Sequence, residues 1–216
     1  MCGLLRYRDR PRETYIRIMH PIEHNDQITA LLTGIPQGGN ALGQAGAPVT
    51  LEYFGDLQCP YCRAFSLGAL ASIIQRWVRA GMLRIECRAL QTATHEPDVF
   101  VAQQVAALAA GKQAKAWHFV ETFYDEQGEE DSGYVTDEYL HGIASQIAGL
   151  NPEQWASDRT DTELIREIAA DEQDAENAGL TGTPSFLIGP SGGAMTRFSA
   201  TDSASFDEAI EGLVQK

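Results

Sequence analysis

The chain has 216 residues, 44% of them hydrophobic and 21% charged, the composition of an ordinary globular protein long enough to bury a substantial core. Lysine and arginine number 16 against 30 aspartates and glutamates, a formal charge of -14, which keeps the chain soluble, repels phosphate backbones and argues against a nucleic-acid partner. The longest apolar runs fall far short of the roughly 18 residues that a membrane helix needs, and four cysteines are too few to staple a chain of this size.

Residues 1–25 read as an N-terminal extension. Met1 to His24 carries five arginines and is broken by Pro11 and Pro21, without the continuous apolar stretch of a secretory signal. The compartment is therefore unassigned from the chain as written. A short strand is expected near Ile28 to Leu32, followed by a surface loop over the glycine- and proline-rich Gly34 to Pro48. Val49 to Phe54 is rich in β-formers and ends at Gly55-Asp56, which predicts a strand.

After Cys59 the period changes. Ala69/Leu70, Ile73/Ile74 and Trp77/Val78 recur every four residues, one apolar face of a helix that Gly81 can end in the left-handed conformation. Leu83, Ile85, Cys87 and Ala89 then alternate with Arg84, Glu86 and Arg88, a half-buried strand expected to run parallel to the first across the helical crossover. Four helices follow, at about Asp98–Ala110, Gln113–Tyr124, Thr136–Ala148 with Thr136 as cap, and Thr162–Ala178 with Gly179 beyond its end. Between them, Asp125 to Asp131 reads as a solvated acidic connection, and Asn151-Pro152 as the opening of a short turn. Ser185 to Ile188 and Ala194 to Phe198 form a strand pair around Gly189 to Gly193, and a last helix covers Ser203 to Val214. The order predicts an α/β chain: a mixed central sheet flanked by helices, with an all-helical insert at about 97–178 within a domain spanning 26–216.

The chemistry concentrates in Cys59-Pro60-Tyr61-Cys62. Four cysteines placed at random would give such a spacing only about 0.07 times, so it invites a cause. Disulfide exchange needs a thiolate to attack a sulfur and a second thiol to resolve the mixed intermediate. Cys59 at the first turn of a helix meets unpaired N–H groups and the positive end of the dipole, which lower its pKa; Cys62 sits one turn further in, shielded but within bridging reach. Pro60 suits a first helical turn, where its missing N–H is no loss, and the Tyr61 ring can cover the sulfur and touch a client. Half of a zinc site is the rival reading. It would need four ligands, and His20, His24, His95, His118 and His141 offer no matching second pair beyond His20/His24. A structural disulfide in so short a loop would constrain the unfolded chain little.

Thr183-Pro184 precedes a strand. An X-Pro bond adopts cis at modest cost, and a cis turn there would offer the Thr183 backbone to an extended client chain; a trans proline starting an edge strand is the other reading. Asp56, three before Cys59, could cap the active-site helix or its preceding turn. Cys87 reads as a small buried hydrophobe, Trp77, Trp117 and Trp155 as core, and Cys2 has no evident partner.

Leu51 through Cys62, taken with Gly179-Leu180-Thr181-Gly182-Thr183-Pro184-Ser185-Phe186-Leu187-Ile188-Gly189, resembles the DsbA-like family of the thioredoxin superfamily over roughly residues 34–214. The resemblance implies a thioredoxin fold and thiol:disulfide oxidoreductase activity as oxidant or isomerase, with Cys59 attacking and Cys62 resolving. It also implies a cis Pro184 beside the dithiol, and a client groove shaped by Thr183 and Pro184. No metal or other cofactor is implied, since the cysteine pair is the redox group. Client proteins and a recycling redox partner are, and a monomer is expected. Two features depart from the family. Relatives often carry a proton-relaying acid six positions before the first cysteine, where this chain has Tyr53, with Glu52 turned to the opposite strand face. The dipeptide Pro60-Tyr61 also lacks the imidazole of the strongest oxidants. A cytosolic glutaredoxin- or thioredoxin-like reductase and a non-catalytic redox-regulated binding module are the alternatives.

Overall fold

A computed structural model describes residues 20–215; the N-terminal extension, with Cys2, falls largely outside them. Helix α1, His20–Leu32, opens the described chain. Strands β1, Gln37–Gly38, and β2, Ala41–Leu42, form a minimal hairpin ahead of β3, Val49–Gly55. One helical path, α2, then runs over 60–78, alternating α-helical turns with π-helical Ser66–Leu70 and Ile74–Val78. Strand β4 covers Leu83–Ala89. Next come α3, Pro97–Gly111; α4, Ala116–Asp125; α5, Asp137–Ser145; α6, Pro152–Asp158; and α7, Thr162–Asn177. Strands β5, Ser185–Pro190, and β6, Thr196–Phe198, and helix α8, Ser203–Val214, complete it.

The six strands lie in the order β1-β2-β4-β3-β5-β6. Only β3 and β4 run parallel, with Tyr53 opposite Cys87; β5 pairs antiparallel with β3, setting Phe186 against Tyr53 on its other side. The long crossover through α2 makes the parallel pair possible, since parallel neighbours cannot be joined by a tight turn. This is the expected thioredoxin fold, a mixed sheet between helices.

Alternation along β3 sends Val49, Leu51 and Tyr53 to one face and Phe54 to the other. The first face buries Leu70, Ile73, Ile74 and Val78 of α2 together with an aromatic cluster of Tyr53, Phe65, Phe186, Phe198 and Phe206. On the second face Phe54 packs with Ala175 and Leu180. There Arg88 of β4 binds Asp171 and Asp174 of α7 at 2.6 and 2.5 Å, with Glu52 at 3.3 Å, and its guanidinium lies over the Phe54 ring. Trp155 of α6 is buried against Phe119 and donates to the Ala106 carbonyl at 2.8 Å, joining α3, α4 and α6.

Three expectations need correction. Ile28 to Leu32 is the end of α1, not a strand: Ile28, Leu32 and Ile35 are buried at intervals of four and three, a helical spacing too brief to be separated from a strand by periodicity. The stretch 34–48 is not purely surface loop, because β1 and β2 add an edge to the sheet with Ala41 and Leu42 buried; two-residue strands carry no readable alternation. Asn151-Pro152 opens a helix rather than a turn, with the Asn151 side chain accepting from the Glu153 and Gln154 amides, so five helices separate β4 from β5. Gly111 lets α3 meet the hairpin, since a Cβ there would stand 2.5 Å from the Gly39 carbonyl oxygen. Gly81, at φ 74, turns the chain out of α2 as anticipated.

Phe206 is fully buried and lies 4.6 to 5.6 Å from the rings of Phe198, Phe186 and Phe65. Phe206→Ala is expected to lower unfolding free energy by about 3–5 kcal/mol, read as a lower urea midpoint at unchanged slope.

Candidate active site

The sheet and α2 converge at Cys59. This residue is the N-cap of α2, in an extended conformation at φ -70 and ψ 121, and Pro60 takes the first helical position. Its carbonyl accepts the Arg63 amide at 3.1 Å, and its amide donates to the Asp56 carbonyl at 3.0 Å. No side chain caps this helix, so its first amides are free to face the sulfur. Cys59 and Cys62 are both reduced and both buried, while Tyr61 between them is 74% exposed.

The two thiols differ in their electrostatics. The Cys59 thiol is pulled down to about 6, chiefly by a hydrogen bond from Cys62, against burial, and further by the Thr183 side chain and the backbone amides of Cys62 and Tyr61. Cys62 is pushed well up, first by burial and then by its bond to Cys59 and the charge there. A thiolate at the helix start with a protonated donor one turn in is the asymmetry that disulfide exchange uses.

Pro184 follows a cis peptide bond. The Cys59 thiol donates to the Thr183 carbonyl at 3.4 Å, and the Thr183 and Thr92 hydroxyls are 2.5 Å apart. All six residues singled out from the sequence, Cys59, Pro60, Tyr61, Cys62, Thr183 and Pro184, thus belong to two segments that meet at one sulfur.

Asp56 is the residue whose role the sequence understated. Its fully buried carboxylate accepts the Gln58 amide at 3.0 Å, closing the turn before the helix. It also accepts the amides of Thr92, Ala93 and Thr94 at 3.0, 2.9 and 2.8 Å, the Thr94 hydroxyl at 2.6 Å and the Gln103 amide at 3.1 Å. The loop after β4 is therefore tied to the cysteine turn from 36 residues away, which no local pattern announces.

The acidic connection after α4 is not merely solvated. Gln127 donates to the Leu57 and Cys59 carbonyls at 2.7 and 3.2 Å, and the Asp131 amide donates to the Gln58 side chain at 3.2 Å, so this loop clamps the turn while Glu129 and Glu130 face solvent. On the insert side, Arg63 donates to the Tyr124 carbonyl at 2.7 Å, and Ser66 to the buried Glu121 carboxylate at 2.5 Å.

Tyr53, six positions before Cys59, is fully buried and its hydroxyl lies 3.1 Å from that of Tyr124, which reaches the Asp56 carbonyl at 3.4 Å. Burial, and after it the Cys62 charge, push both phenols well above their ordinary range. Glu52 faces away and pairs with Arg88. Cys87 is half-buried in β4 with its thiol pushed up by burial and then by Asp171 and Glu121, an unreactive sulfur. Trp117 and Trp155 are core; Trp77 is half-buried, bonded to Asp207 of α8. Burial, then Lys115, lowers His118 to about 4, and it contacts Gln37, outside the site. Among the described residues no group of three or more His, Cys, Asp or Glu side chains is placed to hold a metal ion, and no helix is long and apolar enough to cross a membrane.

A family model described as thioredoxin matches residues 37–211. The probable disulfide bond formation protein D of Bacillus anthracis is 24% identical over 149 residues, covering 68% of this chain and 68% of that protein. Among solved structures, oxidised BdbD from Bacillus subtilis superposes with a TM-score of 0.71 at 19% identity, over 86% of this chain and 98% of that one. The alpha-DsbA1 of Wolbachia pipientis gives 0.68 at 17% identity, over 89% and 96%. Both likenesses are of fold.

Two titrations follow from the site. Thiolate absorbance of the reduced protein is expected to be lost as pH falls through about 6, and to be absent near neutrality in Cys59→Ser. Glu121 is raised to about 7, mainly by burial. Between an unfolded value near 4.5 and about 7 the folded chain keeps a proton that the unfolded chain releases, so stability is lost as pH rises through that window. In Glu121→Gln that loss disappears, and unfolding free energy relative to the parent is expected to improve by about 1–3 kcal/mol across the window, measured by urea unfolding at its two ends.

Proposed function

The chain belongs to the thioredoxin family, and from that premise we infer that it is a thiol:disulfide oxidoreductase of the DsbA-like kind, with Cys59 and Cys62 as its redox group. The observation that carries this reading is the thiol asymmetry: Cys59 held as thiolate near neutrality beside a buried, protonated Cys62.

In the oxidised protein the pair is a disulfide. A client thiolate attacks the Cys59 sulfur, a client–Cys59 bond forms, and the Cys59–Cys62 bond breaks. Its electron pair leaves on Cys62, which takes up a proton because burial disfavours its anion. A second client thiolate attacks the client sulfur of the mixed disulfide and releases the Cys59 thiolate. Two electrons pass from client to protein, and a partner oxidant must remove them to complete the cycle. Tyr61 projects beside the dithiol as an apolar contact for clients. Thr183 and Pro184 edge the groove where an extended client segment pairs by backbone. The functional unit is residues 26–216, with the helices at about 97–178 inserted between the two halves of the site.

A low Cys59 pKa stabilises the reduced form and makes the disulfide the better oxidant. About 6 lies between the roughly 7 of thioredoxin and 3.5 of DsbA. The reduction potential is therefore expected between those of the two, about -270 and -120 mV. No cofactor is needed by this chemistry.

Oxidative refolding of a reduced client protein tests the reading. The parent should restore client activity, Cys59→Ala should fall to the uncatalysed rate, and Cys62→Ala, its Cys59 first capped by oxidised glutathione, should release reduced glutathione and accumulate a client mixed disulfide on a non-reducing gel. Equal refolding by parent and Cys59→Ala would overturn it.

A further inference from the structure

Thr92 lies 33 residues beyond Cys59 in sequence, outside both motifs, yet its hydroxyl is 2.5 Å from that of Thr183. It is held there from behind. Its amide and the next two donate to one oxygen of Asp56, at 3.0, 2.9 and 2.8 Å. Three successive amides on one buried carboxylate oxygen leave the backbone of this loop little freedom.

The proton count gives that contact a consequence. A threonine hydroxyl carries one proton and two acceptor lone pairs. The Thr183 hydroxyl meets the Thr92 oxygen at 2.5 Å, and Thr183 lies against Cys59, whose thiol its side chain helps to lower. If Thr183 donates to Thr92, nothing is left for a thiolate. If Thr92 donates to Thr183, the Thr183 proton is free for Cys59, and each bond polarises the next. A thiolate at Cys59 selects the second order; a disulfide, with no charge, has little preference. The same residue serves the other protonation state through its carbonyl, which accepts the Cys59 thiol at 3.4 Å.

We propose that Thr92, anchored by Asp56, is a positioning residue that orients the Thr183 hydroxyl toward the Cys59 thiolate and so helps set the reduction potential of the pair. The proposal rests on the thiol:disulfide reading above. No bond to sulfur is made or broken by Thr92; it acts through the direction of one hydrogen bond.

The test uses the full chain with Thr92→Val, which removes the hydroxyl and keeps the branched shape, together with Thr92→Ser, Thr183→Val and the Thr92→Val/Thr183→Val double variant. Each is equilibrated with reduced and oxidised glutathione, and the Cys59 thiolate is titrated by absorbance. Thr92→Val is expected to raise the Cys59 pKa and to shift the glutathione equilibrium about threefold or more toward the protein disulfide. Thr92→Ser should restore parent values. The double variant should match Thr183→Val, because one bond cannot be lost twice. An unmoved equilibrium in Thr92→Val, or a full additive effect on top of Thr183→Val, overturns the proposal. Parent refolding activity that depends on Cys59, measured alongside, keeps these outcomes distinct: its absence sinks the oxidoreductase reading, whereas its presence with an unmoved Thr92→Val potential sinks the orienting role alone.

Discussion

The carboxylate of Asp56 accepts six hydrogen bonds in a fully buried setting, and the arrangement of the site depends on it. A buried charge is tolerated only where its lone pairs are met, and buried amides must likewise find acceptors. Both needs are answered at one point, where the exit of β3, the cysteine turn, the loop after β4 and Gln103 of α3 come together. The same carboxylate that closes the turn before Cys59 therefore also fixes how the helices between β4 and β5 sit against the dithiol.

From that framework the two thiols acquire different characters. Cys59 stands at the uncapped start of a helix, where the Cys62 side chain first, then Thr183 and the backbone amides of Cys62 and Tyr61, favour its anion against burial. Cys62, three residues on, is fully buried and loses its anion first to desolvation and then to its bond with Cys59. The difference arises from one helical turn, because the sulfur at the N-cap meets free donors and the sulfur inside the turn meets packed apolar surface. Tyr53 is consistent with this division: its buried phenol, held neutral, adds no negative charge to the surroundings of the cysteine pair, unlike a carboxylate.

The helices between β4 and β5 reach into this chemistry. Gln127, Tyr124 and Arg63 bind the cysteine turn and the start of α2 to the end of α4. Ser66, on the π-helical stretch of α2, meets Glu121 one turn earlier on α4. The active-site helix is thus gripped on its insert side by polar contacts and on its sheet side by the aromatic cluster around Phe65 and Phe206. Tyr61 is left outside both, free to meet a client.

Much of this was written in local pattern. Alternation in Val49–Gly55 and Leu83–Ala89, the four-residue recurrence through α2, the cap at Thr136, and glycines beyond helix ends all act over a few residues, so the sequence by itself determined those elements and the placing of Cys59 and Cys62 at a helix start. Ile28–Leu32 escaped because a short apolar run fits helix and strand alike, and the β1–β2 hairpin because two-residue strands carry no alternation. Only the tertiary structure decided that Asp56 would gather residues 92–94, that Thr92 would stand behind Thr183, and that Gln127 would hold the Cys59 carbonyl. Those contacts join positions tens of residues apart through side-chain hydrogen bonds, whose partners are set by where the sheet and helices bring the chain, and local spacing carries no record of that.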